Sequence, residues 1–167
     1  MAAQAQLQAL AASLPEQPHR VRLLAAAEGD ITTQAVAMPP AGPSTVWRVA
    51  VAAQPIDSAD PFLRHKTTRR QVYEAARAAH PDVNEVLLWN ERGELTEATI
   101  TNVVLKIEGE MLTPPANCGL LPGTFREHLL ANSIIREQPL TVADLQRCDE
   151  LFLINSVRRW VPAKVVG

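Results

Sequence analysis

Residues 84–113, NEVLLWNERGELTEATITNVVLKIEGEMLT, decide the fold. Asn84 to Trp89 is a β-compatible run, Asn90-Glu91-Arg92-Gly93 is a polar turn ending in glycine, and Glu94 to Ala98 returns from it, the pattern of a hairpin. Asn102 to Ile107, Glu108-Gly109 and Glu110 to Thr113 repeat that pattern immediately, so the middle of the chain is β-rich. Working outward, Arg69 to His80 carries Val72, Ala75, Ala76 and Ala79 at helical spacing, with Arg69, Arg70, Glu74 and Arg77 off that face; Pro81 ends the run. Val46 to Ala52 reads as a strand, and the proline-rich piece Met38 to Pro43 before it cannot ladder. Further upstream, His19 to Ala27 and Ile31 to Val36 flank the turn Glu28-Gly29-Asp30, another hairpin. Residues 2 to 14 place Leu7, Leu10 and Leu14 at helical spacing until Pro15 and Pro18 stop them. Downstream, Gly123 to Ala131 reads as helix, Ile134 to Gln138 as strand, Thr141 to Gln146 as a short capped helix and Glu150 to Asn155 as a buried strand. Hairpins with helices laid between them make the class α+β, not a parallel doubly wound sheet.

A chain of 167 residues suits one domain, or one domain with a remnant of another. Its 47% hydrophobic and 20% charged residues are globular proportions, and a net charge of −2 offers no footprint for nucleic acid or an anionic membrane. Cys118 and Cys148 are too few for a disulfide framework and lack the close Cys/His spacing of a structural zinc site. No metal is implied. The N-terminus has no basic start or long apolar core, and no stretch approaches an uninterrupted membrane span. The expectation is a cytoplasmic protein whose partner is a small molecule or another subunit.

Two residue types suggest chemistry. Lys66 sits in Arg64-His65-Lys66-Thr67-Thr68-Arg69-Arg70, and Glu97 in Leu95-Thr96-Glu97-Ala98-Thr99-Ile100-Thr101-Asn102. An amine for a Schiff base and an anion for a pyridinium nitrogen are what a pyridoxal phosphate enzyme needs. Singly, each has a plainer reading: a lysine is ordinarily a solvated charge with a pKa of about 10.4, and carboxylates near hairpin ends are usually exposed. Their order among other motifs is what separates them from that background. Lys66-Thr67-Thr68, Leu87 to Gly93, Thr96-Glu97 through Asn102, Gly119-Leu120-Leu121-Pro122-Gly123 with Arg126, and Asn155-Ser156 follow one another in a single arrangement. In that order the chain resembles the class IV, or fold type IV, pyridoxal phosphate aminotransferase family, and its wording is most similar to the aminodeoxychorismate lyase branch.

The resemblance spans Arg20 to Pro162. It implies a β-rich, barrel-like larger domain of fold type IV over residues 19–167 with helices packed around it. Residues 1–18 are then a helix and linker left from the family's smaller N-terminal domain. It places Lys66 at the Schiff base and Glu97 at the pyridine nitrogen of pyridoxal 5'-phosphate. The amides of Thr124 and Phe125, at a helix N-terminus, and the Ser156 hydroxyl are placed at its phosphate. The implied substrate is a small amino-acid-like molecule. The implied reaction is elimination of pyruvate from aminodeoxychorismate to leave 4-aminobenzoate, a folate-pathway step. The alternatives are a class IV transaminase of small amino acids and a non-catalytic remnant. In the family the smaller domain also supplies an arginine to the cofactor phosphate, a contact worth roughly 1.5 to 3 kcal/mol. Its loss predicts weaker cofactor binding. A face left open in this way predicts a homodimer, or a partner chain that supplies the missing domain. Arg159 stands where the lyase-like pattern has glycine after Asn-Ser-x-Arg, a departure from the family's loop at that point. His65 reads as a packed or solvated residue, Arg69 and Arg70 either as contacts for a carboxylate substrate or as surface charge at a helix start, and Trp89 and Trp160 as packing.

Overall fold

The computed structural model describes residues 2–38 and 45–167. The proline-rich piece before the third strand lies, from residue 39 onward, outside the described residues. The chain divides into two compact units, Met1–Pro43 and Ser44–Gly167.

In the first unit, α1 (Ala2–Ser13) is built from Ala, Gln and Leu, all compatible with helix, and Ser13 Oγ donates back to the Leu10 carbonyl at 2.8 Å as it ends. Strands β1 (His19–Ala25) and β2 (Ile31–Ala37) pair antiparallel from His19↔Ala37 to Ala25↔Ile31. The connecting turn needs a left-handed residue, and Gly29 supplies it at φ 94°.

The second unit is a closed barrel with helices on its outside. Its strands are β3 (Trp47–Val51), β4 (Glu85–Trp89), β5 (Leu95–Ala98), β6 (Asn102–Ile107), β9 (Glu150–Asn155) and β10 (Arg159–Val165). They run around the barrel as β5-β4-β3-β10-β9-β6, and the Glu97↔Asn102 pair closes β6 onto β5. One edge of β6 belongs to β9; the other meets β5 at Asn102 and, from Leu105 on, β7 (Glu110–Thr113), which in turn pairs with the two-residue β8 (Arg136–Glu137). The α+β class read from the hairpins and the barrel-like form implied by the resemblance are therefore both present.

Alternation along the strands sorts the core into three sets. Leu87, Val103, Leu105, Leu151, Leu153 and Val161 cluster together inside the ring of strands with Val49, Leu95 and Ala98. Their neighbours face outward: Val86 and Leu88 pack with Tyr73 and Ala76 of α2 (Gln71–Ala79), while Val104 and Ile154 pack with Phe125 and Leu129 of α3 (Thr124–Ala131). Each fully buried aliphatic side chain contributes roughly 1.5–3 kcal/mol. Both helices are thereby clamped to the outer surface of the strands.

Several sequence expectations shift. The packed face of α2 is Tyr73 and Ala76, not Val72, Ala75 and Ala79; Val72 is 41% exposed. Helical spacing alone does not say which of two adjacent stripes wins, and the larger Tyr73 ring takes the contact. The short helix read at 141–146 is α4 (Asp144–Arg147), preceded by a turn in which Thr141 donates its N–H and Oγ to Asp144 Oδ2 at 2.7 and 3.0 Å. Strand β10 was not foreseen, because Pro162 interrupts it. Yet β3 joins β10 only from Ala163 onward, so at Pro162 the strand has β9 as its one neighbour, an edge-like position where proline is tolerated.

Candidate cofactor site

Lys66 lies between two anchored pieces. A 3-10 turn at Pro61–Arg64 is capped by Asp60, whose side chain accepts from the Phe62 N–H at 2.9 Å, and α2 starts at Gln71. Arg69 N–H donates to Thr67 Oγ at 3.1 Å, turning the chain into that helix. The Lys66 side chain is exposed. Arg69 lies 4.1 Å over the Phe62 ring, across the same segment.

Glu97 owes its orientation to an irregularity in β5. Leu87 faces Ala98 but Trp89 faces Leu95, so two steps on β4 match three on β5, a bulge. Leu95 and Ala98 both point into the barrel core. The extra residue lets Glu97, between them, leave the interior and meet α2 and the turn before α3. There its carboxylate, 5% exposed, accepts from Tyr73 Oη at 2.7 Å and from the Leu121 N–H at 3.2 Å. Both of these donors use Oε1. Desolvation pushes this carboxyl up to about 8, against the opposing effect of Tyr73, Leu121 and the positive charges of Arg70 and Lys66. The charge of Lys66 thus reaches Glu97 even though no direct bond joins them.

The turn that holds Glu97 also builds the helix terminus. Leu121 N–H reaches Glu97, while the Leu121 carbonyl accepts from Asn102 Nδ2 at 2.8 Å. Gly123 then passes so close to Asn102 that a Cβ there would lie 2.4 Å from its Oδ1. The α3 N-cap is this glycine, which makes no side-chain capping bond, so first-turn N–H groups remain for an anion. Thr124 Oγ and Ser156 Oγ meet there at 2.6 Å. Of the residues singled out for a phosphate, these two are brought together. The Phe125 ring is turned away into the outer core, edge-on to Trp160 with ring centroids 6.4 Å apart.

The other candidates fall into place as supports. Arg126 is fully buried, donates to the Pro114 carbonyl at 2.8 Å and pairs with Glu127 and Glu137; it tethers α3 to β8. Trp89 Nε1 donates to the Ala52 carbonyl at 2.7 Å, and Trp160 packs on Phe152. Burial, with Glu94 nearby, pushes the Cys118 thiol up to about 11, so it stays protonated. Arg159 has φ 60°, left-handed backbone that glycine adopts more readily, and its guanidinium lies 5.0 Å over the Phe125 ring.

Sequence reasoning missed Tyr73 and Glu85. Glu85 is 1% exposed and accepts from Thr99 Oγ at 2.8 Å and the Ile100 N–H at 3.2 Å, pinning the turn after Glu97; burial raises its pKa. A groove of about 560 Å³ along α2 is lined by Arg70, Tyr73, Arg77, Glu85, Thr99 and Ile100 and includes neither Lys66 nor Glu97. The chemistry of the side chains, rather than concavity, locates this site. Among the described residues, no helix is long and apolar enough to cross a membrane.

Comparison with known proteins places the fold in a family. The family model described as amino-transferase class IV matches residues 2–166. The putative aminodeoxychorismate lyase of Schizosaccharomyces pombe is 32% identical over 147 residues, covering 84% of this chain and 64% of that protein. A putative branched-chain-amino-acid aminotransferase of Methanocaldococcus jannaschii is 27% identical over 136 residues, 77% of this chain and 47% of that protein. Among solved structures, a putative amino-acid aminotransferase from Mesorhizobium loti superposes with a TM-score of 0.91 at 40% identity, covering 97% of this chain and 80% of that one. The chain thus spans less than two thirds of the length of those two curated relatives. The barrel and its flanking helices have the fold type IV architecture, and members of the family are pyridoxal phosphate enzymes. With motifs, fold and family model in agreement, the chain belongs to the class IV aminotransferase family.

Proposed function

We propose that this chain binds pyridoxal phosphate at Lys66 and Glu97 and acts as an aminodeoxychorismate lyase, releasing pyruvate and leaving 4-aminobenzoate. The observation that carries the cofactor reading is the turn at Leu121. It fixes a buried carboxylate on one side and leads directly into an uncapped helix terminus on the other, where Thr124 and Ser156 meet. These groups fit the cofactor: an amine for its aldehyde, an anion for its ring nitrogen, and N–H and O–H donors for its phosphate. Bound there, the cofactor would supply an electron sink for breaking a bond at the substrate's α-carbon. Lys66 Nζ would hold the aldehyde carbon and, when freed by substrate, would take the proton from the amine-bearing carbon as the enolpyruvyl oxygen on the neighbouring carbon leaves; that carbon becomes aromatic, and the proton ends on the released pyruvate. With the cationic ring nitrogen beside it favouring ionisation, Glu97 would hold that nitrogen's proton through its carboxylate. The lyase reading is supported by the wording of the motifs and by the Schizosaccharomyces pombe relative. A transaminase of small amino acids is the second reading, favoured by the 40% identity to the Mesorhizobium loti protein.

The test is to incubate the purified chain with pyridoxal phosphate, reduce with borohydride, and locate the cofactor by peptide mass spectrometry. The expected result is label on Lys66, absent from Lys66→Ala. A wild type that retains no cofactor after desalting sinks the cofactor reading. Formation of 4-aminobenzoate from aminodeoxychorismate then separates the lyase from a transaminase, which would instead convert an added 2-oxo acid to its amino acid.

A further inference from the structure

The support for Glu97 comes from the helix that follows Lys66. Tyr73, the single tyrosine of the chain, lies on α2, and its hydroxyl donates at 2.7 Å to Glu97 Oε1. The Leu121 N–H reaches the same oxygen. With both of these donors on Oε1, Oε2 is the atom available to a ligand. The Tyr73 ring is itself fixed. It packs with Leu63, Val86 and Leu88, and the Arg70 guanidinium lies 4.7 Å over its centroid while donating to the Thr99 carbonyl just beyond Glu97. Burial and the facing Glu97 hold the phenol well above its ordinary range, so it remains a donor.

We propose that Tyr73 is a positioning residue for the cofactor's ring nitrogen: by fixing Oε1 of Glu97 it turns Oε2 toward that nitrogen and keeps the carboxylate anionic there. This rests on the cofactor reading above and adds to it a route by which α2, continuous with the Lys66 segment, aligns the two ends of the cofactor ring. The physical reason is that a buried carboxylate with one donor in place of two is a poorer anion. The charged and polar groups facing it are Tyr73 from α2, Arg70 at its N-cap, Lys66 from the preceding segment and the Leu121 N–H from the turn before α3, with Asp60 acting on Tyr73. Removing the Tyr73 hydroxyl leaves all the others in place.

The experiment uses the full chain loaded with ring-¹⁵N pyridoxal phosphate, following the nitrogen shift with pH by NMR. Tyr73→Phe keeps the ring, its packing and the Arg70 contact. It is expected to retain the Lys66 attachment and lose the ring-nitrogen proton about one to two pH units lower, with affinity for pyridoxal phosphate weakened about tenfold to a hundredfold. Because the chain holds one tyrosine, growth on 3-fluorotyrosine alters this hydroxyl alone. The more acidic phenol donates more strongly and is expected to move the titration the opposite way, so the proposal stays testable should the phenylalanine variant fold poorly. Superimposable nitrogen titrations in wild type and both substituted proteins, with cofactor attached to Lys66 in each, overturn the role of Tyr73 while sparing the cofactor reading. A wild type that holds no cofactor at Lys66 overturns both.

Discussion

Burying Glu97 has a stability consequence that does not require any cofactor. In the unfolded chain this carboxyl titrates near 4.5, and in the folded protein burial pushes it up to about 8. Below the lower value both states hold the proton, and burial carries no electrostatic cost. Between the two values the unfolded chain has released the proton and the folded chain has not, so stability falls by about 1.4 kcal/mol per pH unit. Above about 8 both states are ionised and the loss is complete, roughly 3 to 5 kcal/mol over the whole window. Tyr73, the Leu121 N–H, Arg70 and Lys66 already offset part of it in the folded state. Glu97→Gln removes the titration while keeping an oxygen that accepts from Tyr73 and Leu121. Urea unfolding of cofactor-free wild type and variant, in steps from about pH 5 to about pH 8, measures the difference directly. The variant is expected to gain on wild type as pH rises. Glu85, also raised by burial, is common to both proteins and drops out of the comparison. A wild-type-minus-variant difference that stays flat across this range would refute the reasoning.

Substitutions at two further positions probe the turns around the site. Gly123→Ala places a Cβ 2.4 Å from Asn102 Oδ1, forcing the amide off the Leu121 carbonyl; a buried amide left unsatisfied costs about 1–3 kcal/mol, and each kcal/mol lowers the melting temperature by about 2–4 °C. An unchanged melting temperature would show that Asn102 yields freely. Arg159→Gly relieves left-handed backbone worth about 1 kcal/mol but gives up the Phe125 ring contact, worth about 0.5–1 kcal/mol, so its unfolding free energy is expected to match wild type. Arg159→Val keeps the strain with a β-branched side chain and is expected to lose about 1–3 kcal/mol. A valine variant as stable as wild type would contradict the φ of 60° at this position.

Much of the barrel was readable because its strands come in hairpins with polar, glycine-containing turns. β10 was not, since a proline in a central strand argues against the strand, and only three-dimensional pairing shows that β3 stops short of it. The residues singled out in the sequence, Lys66, Glu97, Thr124 and Ser156, stand out by their order, however ordinary each is alone, and the fold brings Thr124 and Ser156 together. Tyr73 was hidden for the opposite reason. One aromatic on a short helix reads as packing, and packing is part of what it does. The other part, the bond to Glu97, joins two residues whose relation is set by how α2 sits on the barrel, which no spacing rule encodes.

The orientation of Glu97 is the clearest case of information carried by register instead of composition. Side chains on a regular strand alternate, so with Leu95 in the core a regular β5 would carry Glu97 into the core as well, leaving Ala98 outside. That arrangement would bury a carboxylate among Leu87, Val103 and Leu153 with no donor and no access to a ligand. The bulge opposite Leu87 and Trp89 prevents it by spacing the inward residues Leu95 and Ala98 three apart. No glycine or proline within Leu95–Ala98 marks the irregularity; it is enforced by the closing pair with Asn102, the bonds from Tyr73 and Leu121, and the cost of the alternative. A related chain with the same motif but a regular fifth strand would keep every residue named at this site and still be unable to bring its carboxylate to Tyr73 and Leu121.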